Sequence, residues 1–256
     1  MKILAIDTSS ASLGVALCSE KAMLAEFTQN KALTHSEKLM PLIDTMLKNI
    51  DEDIKLVDAV ACTTGPGSFT GIRIGVSTAN AFAMANGIPV IGISSLEALA
   101  HNFKYADHVI VSTMYAQRDD YYRGIYSFED AKIRIIKSEE AISKDDIIIE
   151  IREMMKSQKK VILCGEMPDR YRTGLMESEE LKNLTKEPGF LIADKNLNFL
   201  RSSNLCEIAF DIITSGKAVD MPRYIEPVYI RKPQAEVQYE EKMAKVKAMQ
   251  SMKDRG

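Results

Sequence analysis

The sequence predicts an α/β protein of two lobes, each a mixed sheet covered by helices. Three observations carry that expectation. Strand-like and helical segments alternate along the chain, the pattern of strands following a turn restarts near Val109, and 256 residues with 46% hydrophobic side chains are enough for one large core or two modest ones.

The first lobe is expected over residues 1–105. It opens with strand-like segments Lys2–Ile6, Leu13–Cys18 and Met23–Thr28, with the polar break Asp7-Thr8-Ser9-Ser10 after the first. Thr34-His35-Ser36-Glu37 reads as a capping box, followed by Leu39, Leu42, Ile43, Met46, Leu47 and Ile50 at helical spacing. Pro41 should kink that helix or mark its first turn. Val57–Thr63 is an apolar run without alternation, as in a strand buried on both faces. It feeds the loop Gly65-Pro66-Gly67-Ser68-Phe69-Thr70-Gly71, then a helix from about Ile72 to Asn86 ended by Gly87 and Pro89. Pro89–Ile93 is strand-like, and Ser94-Ser95-Leu96-Glu97 caps a short helix to about His101.

A second, smaller lobe is expected over residues 106–220. It has a strand from Val109 to Ser112, a hairpin pairing Tyr121–Ser127 with Ile133–Ile136, a helix near Lys144–Lys156 and a strand Val161–Cys164. A late amphipathic helix over about 204–216 is expected to pack back on the first lobe. Residues 221–256 are set apart as a closing segment and a charged tail, with Met243, Val246 and Met249 at helical spacing.

Composition excludes several classes. Cys18, Cys62, Cys164 and Cys206 form no C-x-x-C pair, which fits neither a disulfide framework nor a zinc site and points to a reducing compartment. The opening Met1-Lys2-Ile3-Leu4-Ala5-Ile6 lacks the features of a secretory signal, and no apolar run approaches membrane-spanning length, so a cytoplasmic protein without membrane contact is expected. A net charge of −3 argues against capture of nucleic acid by the whole surface.

Each motif carries two readings. Asp7-Thr8-Ser9-Ser10 suits a phosphate-binding turn, with Asp7 holding a metal-bound water, and equally a β-turn made of good turn formers. The loop from Gly65 resembles a phosphate cradle, yet it lacks a Gly-Lys-Ser/Thr and misses the G-x-G-x-x-G spacing, so a tight strand-to-helix turn capped by Ser68 or Thr70 is the alternative. The stretch Tyr115 to Arg123 mixes aromatics with charge, as in a base contact or the polar face of a hairpin. His35, His101 and His108 show no i, i+4 pairing for a metal, and no G-x-S-x-G elbow is present.

Taken together, Ile3-Leu4-Ala5-Ile6-Asp7-Thr8-Ser9, His35-Ser36-Glu37 with Leu39 and Pro41, Gly65 to Gly75, and Gly92-Ile93-Ser94-Ser95-Leu96-Glu97-Ala98-Leu99 resemble the TsaB family, formerly YeaZ. Gly65 to Gly75 is the most specific part. Glu226-Pro227-Val228-Tyr229-Ile230-Arg231-Lys232-Pro233-Gln234-Ala235 resembles the family's closing signature. The sequence departs from the pattern at Tyr115, where an aspartate is usual, and at Gly165-Glu166-Met167, where G-D-G is common.

The resemblance implies two actin-like, ribonuclease H-like lobes and a non-catalytic role in tRNA threonylcarbamoyladenosine synthesis. The modified adenosine lies just 3′ of the anticodon. It implies a heterodimer with TsaD, the paralogue that carries the active site, joined by the ATPase TsaE, with tRNA reached through the complex and a homodimer in isolation. TsaD has a similar stretch, N-H-L-E-A-H, whose two histidines bind its metal; here Ser95 and Leu99 take those places, so no catalytic residue and no metal site is expected. Asp7, Thr8 and Ser9 become a vestigial nucleotide turn, with no tightly bound cofactor, weak ATP binding at most in the isolated chain, and the complex as the place where ATP could act. The partner interface is expected on the two helices, at Leu39, Leu42, Ile43, Met46, Ile72, Gly75, Ala79, Phe82 and Ala83, beside the loop motif Gly65, Pro66, Gly67, Ser68, Phe69, Thr70, Gly71 and Arg73. The competing functions are an ATP-dependent kinase-like enzyme of the same fold and a glycoprotease-type hydrolase.

Overall fold

The computed structural model describes residues 1–30, 34–117, 120–166, 175, 178–215, 224–231 and 243. Arg118, Asp119, Met167, residues 232–235 and, apart from Met243, the charged tail lie outside the described residues.

The first sheet contains β1 (Lys2–Asp7), β2 (Leu13–Ser19), β3 (Met23–Gln29), β4 (Ala59–Gly65) and β5 (Val90–Ser94), in the order β3-β2-β1-β4-β5. β1 pairs antiparallel with β2 and parallel with β4, which pairs parallel with β5. β1 alternates between two cores, as a period of two requires. Leu4 and Ile6 face α1 (His35–Asn49) and α2 (Phe69–Asn86), whereas Ile3 and Ala5 face α6 (Ser202–Thr214). Ala5, Ala16, Ala59 and Ala61 keep that second face shallow, so α6 sits close on the strands.

The second sheet contains β6 (Val109–Gln117), β7 (Asp120–Glu129), β8 (Lys132–Ser143), β9 (Val161–Glu166) and β10 (Phe190–Ile192), in the order β8-β7-β6-β9-β10. β6–β7 and β7–β8 are antiparallel, β6–β9 and β9–β10 parallel. The two sheets therefore repeat one topology: a three-strand meander followed by two strands parallel to its first. This is the actin-like arrangement. One face carries α4 (Lys144–Lys156) and α5 (Glu179–Leu184); the other carries α3 (Ser95–Ala100).

The helix that ends each half crosses to the other lobe. Leu96, Leu99 and Ala100 of α3 belong to the core of the second sheet, while Leu205, Ile208 and Ala209 of α6 belong to that of the first. The two helices meet where Asn204 donates to the carbonyl of Ala98 and to Asn102 Oδ1 at 2.9 and 2.8 Å. Lys104 adds a 2.7 Å ion pair with Glu207.

Several local expectations change. α2 begins at Phe69, three residues earlier than the apolar spacing suggests, because Ser68 is its N-cap and accepts from Gly71 N. Its C-cap is Gly87 at φ 66°, the left-handed conformation glycine tolerates. The capping box at Thr34 does not form: the first turn of α1 is held by the Thr34 carbonyl, which accepts from Glu37 N at 3.0 Å, while the threonine side chain makes no cap bond. Pro41 lies inside α1, beyond its first turn. The hairpin strands β7 and β8 are longer than the periodicity of exposed β8 suggested. Among the described residues, no helix is long and apolar enough to cross a membrane.

Candidate functional site

The turn after β1 is sealed. Asp7, Thr8 and Ser9 are all fully buried. Asp7 Oδ1 accepts three hydrogen bonds, from Ser9 N at 3.0 Å, Ser9 Oγ at 2.7 Å and Thr63 Oγ1 at 2.8 Å. Its Oδ2 is buried and meets no partner among the described residues. Burial pushes the carboxyl above its ordinary value, against the lowering effect of these bonds and of the nearby His35. His35 Nε2 lies 2.9 Å from the Ser10 carbonyl, tying the start of α1 to the same turn.

The glycine loop accounts for the sealing. Ser68 N donates to the Ser9 carbonyl at 2.6 Å, and Thr8 Oγ1 donates to the Gly71 carbonyl at 2.7 Å. A methyl group at Gly67 would overlap the Ser9 carbonyl oxygen; at Gly71, the Thr8 carbonyl oxygen; at Gly75, Thr8 Oγ1. These three glycines are spaced by four, so they form one line along α2 and its entry loop and let the helix close onto the turn. A phosphate reaches Thr8 or Ser9 only if that loop moves away.

The closing segment completes the assembly as a strap across the first lobe. Ile225 exchanges two 2.9 Å hydrogen bonds with Asn80 on α2 and buries its side chain in the first core. Val228 N donates to the Thr64 carbonyl at 2.8 Å, and Gly65, at φ 119°, leaves room for the Val228 carbonyl. Tyr229 OH accepts from Arg73 Nε at 2.8 Å, its ring centroid lies 4.9 Å from that of Phe69, and the Arg73 guanidinium carbon lies 3.9 Å from the Phe69 centroid. Arg231 reaches the second lobe through an ion pair with Asp120.

The structure places the residues expected at the interface on the inward faces of their helices. Leu39, Ile43, Met46, Ile72, Gly75, Ala79 and Ala83 are buried, the larger of them packed on the strands of their own lobe, and the partly buried Leu42 and Phe82 pack against the same core. Their periodicity marks the inward face of each helix, because burial against the sheet selects apolar residues in the same way as a partner would. The outward face of α2 is Thr70, Arg73, Ser77, Ala81 and Met84, and α1 adds Ser36 and Met40. Of the loop motif, Ser68, Thr70 and Arg73 are exposed, while Gly65, Pro66 and Gly71 are buried.

Sequence reasoning did not find Asn80, Thr63 or the Arg231–Asp120 pair as parts of this site. Each partnership spans more than fifty residues, and only the closing signature hinted that residues near 229 mattered. A second contact between the lobes was also missed: Glu139 accepts from Tyr126 OH at 2.8 Å and from Ser94 Oγ at the α3 N-cap. Gly124 makes that possible, since a methyl there would overlap the Tyr126 phenol. Glu97 sits beside this contact, its carboxyl raised by burial and by Glu139. Ser95 and Leu99 are fully buried, Leu99 in the core beneath the second sheet. Among the described residues, no group of three or more His, Cys, Asp or Glu could hold a metal ion.

Fold and site together define a two-lobed actin-like protein whose first turn is closed by its own glycine loop and whose α2 helix presents a nearly uncharged outer face. The family model described as "TsaD: tRNA N6-adenosine threonylcarbamoyltransferase" matches residues 23–239. The tRNA threonylcarbamoyladenosine biosynthesis protein TsaB of Bacillus subtilis is 33% identical over 163 residues, 64% of this chain and 69% of that protein. TsaB of Escherichia coli is 27% identical over 235 residues, 90% of this chain and 95% of that one. The solved structure of YeaZ from Pseudomonas aeruginosa superposes with a TM-score of 0.70 over 89% of this chain and 99% of that one, and at 22% identity it speaks for the fold alone. The chain belongs to the TsaB family, whose members are named for tRNA threonylcarbamoyladenosine biosynthesis.

Proposed function

We propose that the chain is a non-catalytic partner subunit for TsaD in tRNA threonylcarbamoyladenosine synthesis, working with TsaE in the cytoplasm and meeting tRNA through the complex. The observation that carries this reading is Leu99. It stands where the similar TsaD stretch has a metal-binding histidine, and its side chain is fully buried in the core under the second sheet. Leucine offers no lone pair, and the companion position, Ser95, is equally enclosed, so rebuilding a metal site there would require dismantling the packing of α3. The outer face of α2, which carries Arg73 as its one charge, supports the partner role. The same face offers a second copy of this chain a surface when TsaD is absent, which fits a homodimer in isolation.

On this reading ATP acts in the complex. In the isolated chain a nucleotide would have to displace the Gly65–Gly71 loop from Thr8 and Ser9, which should leave affinity weak, with a Kd on the order of 0.1–1 mM. Reconstitution with TsaD, TsaE, threonylcarbamoyl donor and tRNA tests the proposal. Modification is expected only when this chain is present, and none from this chain without TsaD. Turnover by the chain alone, or full activity in its absence, would sink the reading.

A further inference from the structure

We propose that Arg73 is a preset anchor for a single carboxylate on the partner's docking helix, held in place before binding by Phe69 and Tyr229. This rests on the partner reading above and names the chemistry of that contact.

Helix α2 carries one charged residue along Phe69–Asn86, and that residue is Arg73. Its guanidinium lies over the Phe69 ring, and Nε is committed to Tyr229 OH at 2.8 Å. The two terminal nitrogens, Nη1 and Nη2, meet no acceptor among the described residues. Arg73 lines an open groove of about 480 Å³ together with Ser36, Phe69, Thr70, Ile74, Ser77 and Thr78. Among the described residues the lining offers hydroxyls and apolar carbon and no carboxylate, so Arg73 has no opposite charge there.

A guanidinium with both terminal nitrogens free matches one carboxylate in two parallel hydrogen bonds. Stacking on Phe69 and the bond to Tyr229 have already fixed the side chain, so less rotamer entropy is lost on binding. Beyond the groove α2 exposes Ala81, Met84 and Ala85, small or flexible side chains, before ending at Asn86, which lets another helix approach closely around that one charged contact. The fitting partner is therefore a helix with a small or apolar face and one Asp or Glu placed opposite Arg73. An RNA phosphate fits less well, because backbone capture relies on several cations together and this groove has one among the described residues.

Tyr229 belongs to the strap that also ties to Asp120 in the second lobe, so the preset depends on a residue 156 positions away in sequence. The roles of charge, fork and clamp can be separated by measuring affinity for TsaD of the same organism by calorimetry, together with thermal melts of each variant. Arg73→Ala should weaken binding on the order of 10–100-fold, while the melt falls by only a few °C, since just the surface contacts with Phe69 and Tyr229 are lost. Arg73→Lys keeps the charge without the fork and should lose roughly fivefold or more. Tyr229→Phe keeps the ring, frees Nε and should lose about two- to fivefold.

Affinity within twofold of wild type for Arg73→Ala, or wild-type affinity for Arg73→Lys, overturns the anchor while leaving the partner reading intact. Unchanged TsaD affinity with lost tRNA binding in Arg73→Ala overturns it in favour of a phosphate. Failure of the wild-type chain itself to bind TsaD removes the partner reading and the anchor with it.

Discussion

The two lobes share one topology, and the helices at equivalent places in it are built for different surroundings. In the first lobe α2 links the two parallel strands; its outer face holds one charge, and its inner face is narrowed by glycines onto the Thr8–Ser9 turn. In the second lobe the same link, between β9 and β10, includes only the short α5 among the described residues. Helix α4, the counterpart of α1, spreads Lys144, Asp145, Asp146, Glu150, Arg152, Glu153 and Lys156 over 13 residues, and α1 likewise exposes Glu37, Lys38, Asp44 and Lys48, the ordinary coat of a solvated helix that α2 lacks. Its Glu150 turns inward to the buried Arg123, with an oxygen 2.9 Å from Nε. The contrast teaches that the inward stripe of a helix reports its own core, and that the residues left outside it report what the helix is for.

The sharpest way to break that distinction is to place a charge on each face of α2 in turn. Ala79 is fully buried against the first sheet, so Ala79→Arg buries an unpaired cation. The cost of several kcal/mol is comparable to the whole stability of a domain, and loss of the folded protein is expected by circular dichroism. Ser77→Arg, two residues earlier and exposed, should melt within about 2 °C of wild type because exposed substitutions rarely cost much. It should still weaken TsaD binding by on the order of tenfold or more. If Ala79→Arg stays folded, or if Ser77→Arg melts with it, the two faces are wrongly assigned.

A smaller effect tests why the glycines are there. Gly71→Ala puts a methyl group against the Thr8 carbonyl, a backbone atom that cannot rotate away, and should cost about 2–3 kcal/mol in urea unfolding. Gly87→Ala meets nothing within 4 Å and pays only for its φ of 66°, about 1 kcal/mol. Equal costs would mean that the motif reflects backbone conformation and not the closeness of α2 to the turn.

Much of this architecture was legible because it rests on local physics. The meander, the buried run before Gly65, the Gly87 stop and α4 all follow from periodicity and turn chemistry close in sequence. The direction of each helix's apolar stripe could not be read in that way. Leu39 and Ala79 satisfy a core and an interface equally well, and only the position of the sheet decides between them. The glycine loop was visible as a motif, but its reason, the carbonyls of Thr8 and Ser9, lies some sixty residues away. Arg73 was visible only as a member of the loop motif, and nothing local connected it to Tyr229.

The smallest expected effect concerns Asp7, whose sealed turn contrasts with the exposed charges of the second lobe. Burial raises its folded pKa above the ordinary value of 3.8, with the hydrogen bonds from Ser9 and Thr63 and the charge of His35 opposing the rise. Between the unfolded and the folded pKa the native state therefore binds more protons than the unfolded chain. By linkage, stability is greatest below the unfolded value, declines as pH rises through the folded one, and is level above it. Asp7→Asn removes that titration while keeping an oxygen able to accept from Ser9 and Thr63. Other carboxylates titrate in the same range, but they do so in both proteins and cancel in the difference. Unfolding free energies from urea titrations at several pH values between 4 and 8 should thus show wild type losing ground to Asp7→Asn as pH rises, with the difference becoming flat once Asp7 is ionised in both states. A difference that runs the other way, with wild type gaining on Asp7→Asn as pH rises, would mean that the three hydrogen bonds outweigh burial and that the turn is built to hold an anion of its own.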